Sequence, residues 1–130
     1  MKSIEVTISA DEATETATIE CDRKNLALIF ALRDGKKKIY KAHDLFECFG
    51  LLRADFPDIK FFCKGAKINV YPSRMASQMA GGIVAYELQL GRPAGSEDIV
   101  NIFSYEDKDL THDIQQQRHF YNCWIESLKK

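Results

Sequence analysis

Residues 68–91, INVYPSRMASQMAGGIVAYELQLG, read as strand, short helix and strand, with a punctuating residue at each joint. Ile68 and Val70 lead into Pro72, whose fixed φ and missing N–H suit the first turn of a helix. Met75 and Met79 stand four apart beside Ala76 and Ala80, which gives that helix one small apolar face. Gly81 and Gly82 accept positive φ and stop it in a left-handed cap. Val84, Tyr86, Leu88 and Leu90 then alternate with Ala85, Glu87 and Gln89, the pattern of a strand covered on one face. Gly91 and Pro93 end the strand. The unit organises a core but holds no nucleophile, base or phosphate cradle.

Upstream, Ile59 to Cys63 reads as a short strand, Lys64-Gly65-Ala66 as a tight turn and Lys67 to Tyr71 as the returning strand of a hairpin. Before it, Asp44 caps a helix in which Leu45, Phe46, Phe49, Leu52 and Phe56 recur at three and four, and Pro57 stops it. Asp22 is also placed to cap a helix carrying Leu26, Ile29, Phe30 and Arg33, ended by Gly35. Leu26, Leu28, Phe30 and Leu32 alternate as well, so a strand over residues 23–33 stays open. Lys36-Lys37-Lys38 reads as a solvated connection. At the N-terminus Ile4, Val6 and Ile8 form one strand; Ala13, Ala17, Ile19 and Cys21 form a second across the Asp11-Glu12 turn.

Downstream, Ser96 starts a single helical turn, with Ile99, Ile102 and Phe103 to pin it. Thr111 to Leu128 is a long amphipathic helix, with Leu110, Ile114, Gln117, Phe120, Tyr121, Trp124, Ile125 and Leu128 on one wide face. The whole predicts one α+β domain over residues 1–130. Its sheet is mostly antiparallel, with about five strands, packed by three to four helices, the last being the long C-terminal one.

A chain of 130 residues, 45% hydrophobic and 28% charged, buries a sizeable core without disulfide or metal support. No apolar run approaches the ~18–20 residues of a membrane span. The opening MKSIEVTISADE alternates, where a signal peptide needs a continuous apolar block. Cys21, Cys48, Cys63 and Cys123 are irregularly spaced with no C-x-x-C pair, so reduced thiols and a cytoplasmic location are expected. The net charge of −1 hides a segregation: residues 23–74 carry twelve Lys/Arg against five acids, while residues 75–113 carry two against seven. Such blocks either cancel on folding or leave a dipolar surface that meets a charged partner.

Catalytic patterns are thin. His119, Cys123 and Glu126, at i, i+4 and i+7, could face a metal, but H-E-x-x-H is absent and no closing ligand is offered, so neither metal nor cofactor is expected. There is no G-x-S-x-G, and Gly81-Gly82 follow a helix where a phosphate loop opens one. Glu97-Asp98 and Glu106-Asp107 read as a solvated charge run. Arg33, Lys36-Lys37-Lys38, Lys41, Lys60, Lys64 and Lys67, interleaved with Tyr40, Phe61 and Phe62, have the composition of a nucleic-acid stacking platform, against a pI of about 6.3. A small nucleic-acid-binding module and a small enzyme are the alternatives.

The blocks CKGA, VYPSRM, QMAGG, AYELQLG and DIVNIF, with the closing QQRHFYNCWIESL, resemble small bacterial immunity proteins of polymorphic-toxin and contact-dependent growth-inhibition systems. The resemblance covers roughly residues 40–128 and leaves out the N-terminal hairpin; the family pattern has Gly where this chain has Arg74. It implies a protein without turnover, whose partner is the C-terminal domain of a cognate toxin, often a nuclease, and which blocks that toxin's active site. Neither membrane nor nucleic acid is implied as a partner. A nuclease presents a basic cleft, and an acidic patch both enters it and speeds the encounter. The surface expected to do this is the acidic segment: Glu97, Asp98, Glu106, Asp107, Asp109 and Asp113.

Overall fold

The computed structural model describes residues 1–32 and 34–129. It is an α+β fold with a five-stranded antiparallel sheet in the order β4-β3-β2-β1-β5 and a second, three-stranded sheet in the order β6-β7-β8. β1 (Lys2–Ala10) and β2 (Ala13–Asp22) form the long hairpin, turning through Asp11 and Glu12, both at positive φ. Two positive-φ residues give the turn the twist that a two-residue hairpin requires. Val6, Ile8, Ile19 and Cys21 alternate into the core from this pair.

Residues 22–32 depart from the helix expected there. The Asp22 carboxylate accepts from the Asn25 backbone N–H and side chain, closing a turn instead of capping a helix. Leu26 then flips to φ 51°, and β3 (Ala27–Ala31) pairs with β2, setting Phe30 opposite Ile19 and Leu28 opposite Cys21. The period-two pattern wins because it buries both side chains completely in register with a neighbour. The expected helical position Arg33 lies outside the described residues. The three lysines are no mere connection: Lys37 and Lys38 open β4 (Lys37–Lys41), where charge on an edge strand discourages further pairing.

α1 (Leu45–Asp55) starts where expected, with Asp44 Oδ1 accepting from the Glu47 N–H at 2.8 Å. It buries Leu45, Phe46, Cys48, Phe49 and Leu52 against the large sheet. Phe61 meets Phe30 and Phe49 edge-to-face, and Phe49 meets Phe103 in the same way.

The hairpin expected over residues 59–71 is split between the sheets. β5 (Lys60–Phe61) pairs with β1, while β6 (Val70–Tyr71) pairs with β7 (Val84–Glu87). The corner is a 3-10 turn, Lys64–Ala66, whose Gly65 N–H donates to the Ile102 carbonyl at 2.7 Å. The turn chemistry was legible locally; the strand partners were not. α2 (Arg74–Ala80) is capped by Ser73 Oγ and ended by Gly81 at φ 65°. Its methionines do not form a buried face: Met75 is 69% and Met79 79% exposed. β7 is shorter than the alternation suggested; Ala85 and Leu88 are buried and Leu90 is exposed. β8 (Ile99–Asn101) follows the single turn Ser96–Asp98 and completes the small sheet.

α3 (Ile114–Ser127) lies against β6 rather than across the large sheet. Tyr121 stacks on Tyr71 at 4.6 Å, and Trp124 Nε1 donates to the Arg92 carbonyl. Of its expected apolar face only Gln117 is fully buried. Among the described residues no helix is long and apolar enough to cross a membrane.

Candidate partner-binding surface

The acidic segment divides into residues that hold the fold and residues that face water. Glu106 belongs to the first group. Its Oε1 accepts from Lys64 Nζ at 3.0 Å and Lys67 Nζ at 2.9 Å, and both lysines also reach Glu87. The Lys67 ammonium, then Lys64 and the backbone N–H groups of Lys108 and Asp107, hold the Glu106 carboxyl down at about 2. The four charges close a quartet that ties the 64–67 corner to β7 and the acidic segment. Two of the lysines that could have gripped a phosphate are consumed here. Lys37 and Lys38 pair likewise with Glu20 and Asp55, Tyr40 donates to Asp55, and Phe61 is buried.

The other oxygen of Glu106 has a second task. Its Oε2 accepts from the backbone N–H groups of Asp107 and Lys108, at 2.9 and 3.1 Å, which fixes the loop that follows. Tyr105, 61% exposed, is stacked on Phe62 at one end of this loop. At the other end the Asp109 carbonyl accepts from Ile68 N–H, with Asp109 at φ 57°. Asp107 and Asp109 are exposed and have no ion-pair partner among the described residues. The remaining expected residues lie apart from this arrangement in role. Glu97 pairs with Arg92 at 2.9 Å, Asp98 accepts from Gly95 N–H, and Asp113 caps α3 through Gln115 N–H.

A groove of about 1040 Å³ lies between the start of α1, α2 and α3. No local sequence signal points to it, because it is assembled from four separated segments. Asp44 stands in its wall, accepting from Glu47 N–H and, at 2.5 Å, from Ser77 Oγ. His43 Nε2 is 3.7 Å from Asp44 Oδ2, and its Nδ1 faces Glu47 Oε2. The Ser77 hydroxyl donates to a carboxylate whose other oxygen already caps α1, so this contact also ties α2 to the start of α1.

Two of the thiols, Cys48 and Cys63, are buried in the core. Burial pushes Cys63 up to about 12 and Cys48 up to about 11, so both stay protonated near neutral pH. Cys123 Sγ lies 3.5 Å from His119 Nε2 on an exposed turn of α3. Among the described residues no group of three His, Cys, Asp or Glu side chains is arranged to hold a metal. What the surface offers chemically is recognition: an exposed aromatic beside carboxylates, and a groove with cations, that have no ion-pair partner among the described residues. No model of a known protein family matches the chain, and no curated protein matches it either.

Proposed function

We propose that this protein binds the C-terminal domain of a cognate bacterial toxin and neutralises it by occluding its active site, as immunity proteins of polymorphic-toxin systems do. The observation that carries the reading is the 105–109 loop. An exposed tyrosine and two unpaired carboxylates stand on a backbone that Glu106 holds from below. Tyrosine is a frequent anchor of protein interfaces, since it covers a large area with few rotatable bonds. A loop already ordered loses little entropy on docking. The carboxylates draw in a basic surface, and the cleft of a nuclease is such a surface. Asp107 and Asp109 make the central contacts, with Asp113 and Glu97 at the edge, while Glu106 and Asp98 act by holding the backbone.

Binding of this kind needs no turnover, cofactor or metal. The protein acts in the cytoplasm, where its four free cysteines stay reduced. The test is to purify the toxin domain encoded beside this gene and titrate it with the protein. Stoichiometric loss of toxin activity and a complex that survives gel filtration are expected. A toxin that stays fully active in excess protein would overturn the proposal.

A further inference from the structure

The groove beside α2 has a composition that the 105–109 loop does not share. Leu26, Phe46, Tyr71 and Tyr121 form its apolar lining. Around them stand Arg23, Lys24 and Arg74, all exposed, with no carboxylate in ion-pair range among the described residues. Arg118 adds a fourth cation, its Nε donating to Tyr71 Oη at 3.3 Å and its Nη2 3.7 Å from Glu47. The two acids present, Asp44 and Glu47, are already engaged by Ser77, Arg118 and His43. α2, which borders the groove, buries none of its residues.

Backbone strain falls in the same place. Leu26 sits at φ 51°, a left-handed conformation that leucine rarely adopts, in the turn that carries Arg23 and Lys24.

We infer that this groove is a docking site for a protein segment carrying carboxylates beside an apolar side chain. Arginine forks bind carboxylates in two-pronged fashion. The flexible thioether side chain of Met79, which lines the groove, adapts to an apolar neighbour. Both requirements are met by one short acidic–apolar segment. A nucleic acid fits less well, because base stacking needs an open ring face. Tyr71 and Tyr121 already stack on each other, Phe46 packs edge-on against Tyr71, and Trp124 stacks on Tyr121. A bare polyanion would meet the cations and leave Met79 in water. The site uses none of the loop residues, so it stands whether or not the toxin reading does.

The test titrates the full chain, ¹⁵N-labelled, with acetyl-Asp-Phe-Glu-Leu-Asp-amide and with its Asn/Gln counterpart. The acidic peptide should shift the amides of α2 and of the 23–26 turn. The double variant Arg23→Glu/Arg74→Glu should weaken it by about tenfold or more while the spectrum stays that of a folded protein. Asp107→Lys/Asp109→Lys should leave peptide binding unchanged, which separates this site from the loop. Equal binding of the uncharged peptide, no shifts with either peptide, or stronger shifts of the same amides by oligothymidine would each overturn the inference.

Discussion

Arg53 and Gln117 meet inside the core: Arg53 Nη2 donates to Gln117 Oε1 at 2.7 Å, with side chains 1% and 0% exposed. The guanidinium also donates to the carbonyls of Thr111 and Phe49 and lies over the Phe49 ring. Gln117 Nε2 donates to the carbonyls of Gly65 and Lys67. One polar pair therefore ties α1, α3 and the corner between the sheets. Burial brings the Arg53 pKa down to about 10, which still leaves it charged at neutral pH, and among the described residues no carboxylate is hydrogen-bonded to it. Removing either partner strands the other. Gln117→Leu should cost about 3 kcal/mol, and Arg53→Met a similar amount. In urea unfolding the double variant should lose clearly less than the two single losses combined, the signature of a coupled pair. Strict additivity would refute the coupling.

Gln117 also marks where sequence reading ends. The helical wheel put it on the inward face of the last helix, correctly, but nothing local pointed to Arg53, which lies far away along the chain. Residues 22–33 carried both periods at once, and the choice fell to register with β2, a long-range fact. The helix start at Asp44 was legible because a cap is made with the residues just beyond it, whereas the second helix begins after its cap Ser73 and leaves Pro72, expected in its first turn, outside. The acidic segment shows the same limit. Glu106 and Asp107 are neighbours, yet one is held by two lysines about forty residues away and the other faces water. Composition sees one charge run where the fold makes two roles.

Glu106 should give the protein a specific acid sensitivity. Its ordinary value is 4.5 and the fold holds it at about 2, so the folded state favours the carboxylate. The unfolded chain therefore takes up the proton first. The stabilisation is complete above 4.5 and is lost as pH falls toward 2. Glu106→Gln should be less stable at neutral pH by about 1–2 kcal/mol. Its urea midpoint should also change less than that of the wild type over this acid range. Parallel pH curves for the two proteins would show that the lysine quartet contributes nothing to the acid response.

Gly65 is a test of the corner where the two sheets diverge. A Cβ there would stand 2.7 Å from Ile102 Cβ and 2.9 Å from the Ile102 carbonyl oxygen. Neither atom can swing aside, because both belong to or branch directly from the backbone of β8's continuation. Gly65→Ala should cost about 2 kcal/mol, and Ile102→Val should not rescue it, since valine keeps the same Cβ. Gly35→Ala is the control: its φ is 85° but nothing lies within 4 Å, so it should cost about 1 kcal/mol. Calorimetric melting that ranks Gly35→Ala as the more damaging would contradict the close approach.

The acidic side chains of residues 97–113 should not contribute equally to partner binding, because their surroundings differ. Asp107 and Asp109 face solvent with no cation paired to them among the described residues, whereas Glu97 already pairs with Arg92. Reversing the first two should slow association with a basic toxin domain by about tenfold at low salt, and the difference should shrink as salt rises. Glu97→Lys should change the rate much less. Tyr105→Ala removes an anchor rather than a steering charge, so it should speed dissociation and leave the association rate nearly intact. Stopped-flow binding separates the two rates. If Asp107→Lys/Asp109→Lys binds as fast as the wild type, the partner approaches another face and the loop is not the contact.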